Sequence, residues 1–171
     1  MEEKTHSKLE NIKEAIIFAL IVILIVLIRM YIITPAIING DSMEPNLSNG
    51  DIVLLYKSNQ NIERFDIIVH VYDETRLVKR IIGMPGEHVE FLNNELYING
   101  VIVPELYQQE TDDFRLEDIG YDRIPENYFF VLGDNRNFSR DSRTIGLINL
   151  DNILGETTYR IYPFSGFGRI D

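Results

Sequence analysis

Residues 15–33 read AIIFALIVILIVLIRMYII, nineteen residues in which Arg29 is the only charge. At about 1.5 Å per residue the run covers roughly 28 Å as a helix, close to the bilayer's hydrocarbon thickness of about 30 Å. It is long enough to span a membrane. Arg29 stands about one helical turn from its end, where a long side chain can snorkel to the headgroups, and Tyr31 suits the same interface. A cleaved secretory signal has an apolar core of only about 7–15 residues and an Ala-x-Ala-like site after it; this run is longer and no such site follows, so an uncleaved anchor is expected. Lys4, Lys8 and Lys13 precede it, diluted by Glu2, Glu3, Glu10 and Glu14. The positive-inside rule then predicts a cytoplasmic segment 1–14, a transmembrane helix 15–33 and an external domain 34–171 on the outer face of the cell membrane.

Beyond Pro35 helical hydrophobicity gives way to short strand-like runs separated by Gly, Asn, Asp and Pro. Strands are expected at 51–56, 65–72, 76–82, 88–92, 95–98, 101–103, 128–132 and 154–162. Asn93-Asn94 and Asn99-Gly100 each separate two such runs, and these residues tolerate the positive φ of tight hairpins. The fold class expected is mainly β: an antiparallel β-sheet catalytic domain with a small β excursion, behind one transmembrane helix. The excursion, about residues 93–126, ends in a stretch from Glu105 to Glu126 with eight acids against Arg115 and Arg123. Its weak periodicity reads as a solvated loop.

The formal net charge of -11 provides no basic footprint for a nucleic acid backbone. Cysteine is absent, which removes disulfides, thiolate metal sites and cysteine nucleophiles.

Three segments can carry chemistry. Ser42 lies in Gly40-Asp41-Ser42-Met43-Glu44-Pro45, about nine residues past the span. A serine in such a turn is ordinarily just a turn residue and needs a base to be more. His6 falls on the cytoplasmic side, and neither His70 nor His88 stands in a recognisable triad setting. Lys79 occurs in the apolar strand Leu77-Val78-Lys79-Arg80-Ile81-Ile82. On a strand it and Arg80 face opposite ways, so one can turn inward while the other meets solvent. Only the lysine can act as a base, since a guanidinium stays protonated whereas desolvation can neutralise an amine. Half-neutrality at pH 7 requires a drop of about 3.4 units from a reference of about 10.4, roughly 4.6 kcal/mol, within reach of full burial. Taken alone, Lys79 is more simply a solvated edge-strand lysine. The third segment, Gly133-Asp134-Asn135-Arg136-Asn137-Phe138-Ser139-Arg140-Asp141-Ser142-Arg143, follows an apolar strand and suggests a hydrogen-bonded loop held by Asp/Arg pairs.

These three segments, in this order behind one span, resemble type I signal peptidase, the bacterial family that removes signal peptides from exported proteins. Ser42-Met43-Glu44-Pro45 resembles its nucleophile box, Lys79-Arg80-Ile81-Ile82-Gly83-Met84-Pro85-Gly86-Glu87 its base box, and residues 133–143, with Gly146 beyond, its third box. The resemblance implies a membrane-bound serine endopeptidase acting on signal peptides at a lipid bilayer, with no cofactor and no metal. It implies Ser42 as nucleophile and Lys79 as base, and Ser139 as the serine that orients the lysine amine. Asp134, Asp141 and Arg143 match positions that shape the site by ion pairing. The oxyanion would be held by the Ser42 N–H with a donor at Gly40. Gly40 departs from members with Ser or Thr there and has no hydroxyl to give; Asn46, Met84, Glu87 and Phe138 are smaller departures. A self-cleaving repressor-type Ser/Lys protease shares the first two segments, but the span, the acidity and the third segment set this chain apart.

Overall fold

The structure, a computed structural model, describes residues 2–57, 61–105 and 109–170. The chain divides into two compact units, residues 1–34 and 35–171. The first is helix α1, Glu2–Tyr31. Its stretch Asn11–Tyr31 has mean hydropathy 2.6 and no residue buried against protein, and is long and apolar enough to cross a membrane. The helix stops at Tyr31, and Ile33 already opens strand β1 (Ile33–Ile37), so the helical part of the expected span is shorter than 15–33.

The second unit is antiparallel β. Its strands are β2 (Ile52–Tyr56), β3 (Ile67–Tyr72), β4 (Thr75–Gly83), β5 (Val89–Leu92), β6 (Glu95–Ile98), β7 (Val101–Ile102), β8 (Phe114–Arg115), β9 (Tyr128–Leu132), β10 (Ile148–Asn149), β11 (Ile153–Tyr162) and β12 (Gly168–Arg169). The larger sheet runs β1-β2-β11-β3-β4-β9-β10 with β12 on β11, and the smaller one β7-β6-β5-β8. The fold class is therefore the expected one, and all eight expected strands are present within two residues at their ends. Asn93-Asn94 (φ 50 and 68) and Asn99-Gly100 (φ 52 and 78) close the hairpins β5–β6 and β6–β7. Their side chains accept this left-handed backbone at small cost.

The smaller sheet is inserted between β4 and β9, the two strands that flank the lysine and the third segment. It shares a core with them, in which Phe91, Phe114, Leu116 and Ile124 pack on Ile82, Phe130 and Leu132; the Phe114 and Phe130 rings stack at 5.2 Å between centroids. The expectation of a solvated loop over residues 105–126 is thereby corrected, except at 106–108, which lie outside the described residues. Thr111, Phe114, Leu116 and Ile124 are buried there. Isolated side chains dip into a core without any regular period, so periodicity could not announce them. Met43, Leu47, Ile38, Val53, Ile67 and Ile170 form a second cluster, with Ala36 and Val78 against it.

Candidate active site

Strand β4 brings the lysine in. Lys79 is 2% exposed and is the largest of the fully buried side chains. Across the strand pair it sits opposite Ile68 of β3, and two residues on, Ile81 faces Val131 of β9, so its methylene stem runs among apolar neighbours. Its Nζ donates to Ser42 Oγ at 2.7 Å and to the Val78 carbonyl at 2.7 Å. Serine and lysine are 37 residues apart in sequence; the tertiary fold joins the turn that carries one to the strand that carries the other. Burial pulls the Lys79 pKa down from 10.5 to about 8, and Asp141 and then Asp134 pull the other way.

Those two carboxylates are held by arginines of their own. Asp134 takes a two-pronged bond from Arg80, Nε to Oδ1 at 2.8 Å and Nη2 to Oδ2 at 2.7 Å, and Arg80 Nη1 donates to the Phe65 carbonyl at 2.8 Å. Arg80 is only 4% exposed, which corrects the expectation that one of the two neighbouring cations meets solvent. β4 is covered on both faces, and a buried guanidinium is tolerated because charged and neutral acceptors occupy its donors. Asp141 is fully buried. It accepts from Arg143 Nε and Nη2, each at 2.9 Å, and from the Gly133 N–H at 3.2 Å, and it caps the short helix α2, Ser142–Ile145. With these carboxylates neutralised at source, desolvation decides the state of Lys79.

The third segment is fastened to the serine turn. The Asn135 N–H donates to the Ser42 carbonyl at 3.1 Å and its side-chain amide to the Asp41 carbonyl at 3.1 Å. Gly133 lies so close that an added Cβ would overlap both the Ser42 carbonyl oxygen and Ser139 Oγ. Arg136, 4% exposed, ties the loop to the inserted sheet: it pairs with Glu105, donates to Thr111 Oγ1 at 2.8 Å and lies over the Phe91 ring at 5.3 Å. Sequence reasoning missed this strut. Glu105 and Thr111 carry no local signal, being 31 and 25 residues from their partner.

Two expected site residues occupy other arrangements. Ser139 Oγ is buried with no hydrogen-bond partner, and the lysine amine is bonded to the Val78 carbonyl and to Ser42 instead. The Gly40 N–H, in a left-handed turn of φ 96, donates to Asn49 Oδ1 at 2.9 Å and is already committed there. Neither His70 nor His88 serves the serine. His88 pairs with Glu117 at 3.0 Å. His70 is fully buried on β3 with no hydrogen-bond partner on either ring nitrogen, and burial, with Lys79 nearby, lowers its pKa from 6.5 to about 4. Among the described residues no group of His, Cys, Asp and Glu is arranged to hold a metal.

A serine hydroxyl in contact with a buried lysine amine, beside a clamped loop, is an arrangement that can do nucleophilic chemistry without a histidine. Comparison with known proteins identifies the family. Residues 10–162 match the family described as signal peptidase, peptidase S26. "Signal peptidase I S" of Bacillus subtilis (strain 168) is 39% identical, covering 96% of this chain and 97% of that one. "Signal peptidase IB" of Staphylococcus aureus (strain Mu50 / ATCC 700699) is 34% identical, covering 94% of each. A crystal structure of a signal peptidase I from Enterococcus faecalis V583 superposes with a TM-score of 0.54 at 39% identity, covering 58% of this chain and 98% of that one. The chain therefore belongs to the signal peptidase family, peptidase S26, and is a serine endopeptidase of the signal peptidase I type.

Proposed function

We propose that this protein removes N-terminal signal peptides from exported preproteins, with Ser42 as nucleophile and neutral Lys79 as general base, anchored in the membrane by α1. One observation carries the reading: Lys79 Nζ lies 2.7 Å from Ser42 Oγ in a site whose burial lowers the amine's pKa to about 8. With the amine neutral, the Ser42 hydroxyl donates across the same contact. As Oγ attacks the scissile carbonyl its proton passes to Nζ, and the tetrahedral oxyanion forms. Since Gly40 commits its N–H to Asn49, the oxyanion falls to the Ser42 N–H. The ammonium then gives its proton to the departing amine, and the restored amine activates the water that hydrolyses the acyl-enzyme. Asp134, Asp141 and Arg143 hold the loop around this site. The buried, unpartnered hydroxyl of Ser139 supplies an acceptor to which the amine can turn when substrate engages Ser42.

The sheet supports a binding mode. β4 pairs with β9 from Arg80 to Gly83, so among the described residues its edge at 75–79 has no strand on the side away from β3. An extended signal-peptide segment can add to that edge through main-chain hydrogen bonds. The apolar cluster of Ile38, Met43, Leu47, Val53 and Ile67, with Ala36 and Val78 against it, contains the residue after the nucleophile and the residue before the base. Ala36 and Val78, the two that are only partly buried, give it a shallow apolar edge that suits the small residues the family prefers at the first and third positions before the cut. The N-terminus would be cytoplasmic and the catalytic unit outside; anchoring enzyme and substrate in one bilayer raises their effective concentration.

The decisive experiment compares preprotein cleavage by the detergent-solubilised protein, Ser42→Ala and Lys79→Arg. Cleavage by the first and none by the two variants, all folded, supports the dyad, whereas turnover by either variant refutes it. Because the chain lacks cysteine, single cysteines introduced near residue 11 and in the external unit report orientation by impermeant labelling.

A further inference from the structure

Phe138 is 78% exposed, although it directly precedes Ser139 in the catalytic loop. Its loop is not slack. Phe138 N–H donates to the Asn135 carbonyl at 3.1 Å, Asn135 is bonded to the Ser42 and Asp41 carbonyls, and the Arg136 carbonyl accepts from Arg143. A phenyl ring held out in water on so constrained a backbone adds almost nothing to the fold. It is, however, pre-organised for a contact.

The direction of the substrate puts that contact beyond the cut. In the proposed binding mode, residues before the scissile bond lie against Val78, on β4 ahead of Lys79, and Ala36, ahead of Ser42, the partly buried members of the apolar cluster. A chain passing the Ser42–Lys79 contact leaves the open edge of β4, because from Arg80 onward that edge is taken by β9, starting with Leu132. Residues after the cut must therefore rise over the loop that follows β9, which is residues 133–139. We propose that Phe138 is a specificity-determining residue that receives the first two residues of the released protein and favours apolar side chains there. This inference rests on the signal-peptidase reading above.

The test uses two preproteins identical except for the first two residues after the cleavage site, Leu-Leu in one and Gly-Gly in the other, cleaved by the full-length protein in detergent and in lipid vesicles. The expected kcat/KM ratio is about tenfold in favour of Leu-Leu, the size of discrimination an apolar contact gives. Phe138→Ala brings the ratio to about one, and Phe138→Leu keeps most of it. A ratio near one in the unmodified protein, a ratio surviving in Phe138→Ala, or an equal loss on both substrates overturns the proposal. So does a loss seen only in vesicles and blind to the substrate, which assigns the ring to lipid. A wild-type protein that cleaves neither preprotein refutes the peptidase reading itself, an outcome distinct from an active enzyme without preference.

Discussion

Replacing Lys79 by methionine should make the protein more stable while ending its activity. Methionine has a similar reach and no charge, so it can fill the same apolar channel. The lysine's pKa is lowered by burial from 10.5 to about 8, which at 1.36 kcal/mol per unit amounts to about 3 kcal/mol of destabilisation at pH 7. Against that, the variant loses the bonds to Ser42 Oγ and the Val78 carbonyl, each worth about 1 kcal/mol net. The balance at pH 7 is a gain of about 1–2 kcal/mol, or a rise in Tm of roughly 3–8 °C. The sign of the pH dependence follows from proton binding. Between about pH 8 and 10.5 the unfolded wild type holds a proton that the native lysine has released, so wild-type stability climbs with pH. Below pH 8 both states are protonated and the penalty is constant. The variant's advantage should vanish and reverse by about pH 10.5, a swing of about 3 kcal/mol. Thermal unfolding of both proteins in detergent, followed by tyrosine near-ultraviolet dichroism at several pH values, measures the difference, in which other titrating groups cancel. A difference flat from pH 7 to 10.5, or a variant less stable than wild type at pH 7, refutes the claim that desolvation tunes this lysine.

Three further outcomes are expected. kcat/KM for a preprotein should rise about tenfold per pH unit below pH 8 and level off above it, standing near a tenth of its plateau at pH 7, since in the proposed mechanism only neutral Lys79 is competent; an activity flat from pH 6 to 9 contradicts a lysine base. Wild-type stability should fall by up to about 3 kcal/mol as pH drops from 6.5 towards 4, because His70 stays neutral in the fold while it protonates in the unfolded chain. His70→Leu should remove that fall and retain cleavage, as denaturant titrations and the cleavage assay would show. Gly133→Ala should lower kcat by a hundredfold or more in a folded protein, because the new methyl must push aside the Ser42 carbonyl and Ser139; near-normal turnover would mean that the loop yields freely.

Local signals made much of the architecture legible. The apolar run had to be helical and did not belong in a β domain. Asn93-Asn94 and Asn99-Gly100 announced their turns because positive φ is a property of the residue itself, and strand composition found β2, β3, β4 and β9. The short strands β8, β10 and β12, two residues each, were invisible for want of a pattern to read. At the site, chain order and resemblance singled out Ser42 and Lys79 where neither residue alone was persuasive. What only the tertiary structure decided was the environment: that Arg80 is buried along with Lys79, that Glu105 and Thr111 brace the loop that follows β9, that Gly40 has committed its N–H and that Ser139 is unpartnered. Backbone preference is encoded residue by residue, whereas desolvation and hydrogen-bond partnership arise between strands tens of residues apart. The lowered pKa of Lys79 is of that second kind, and it came into being only when the sheet closed around it.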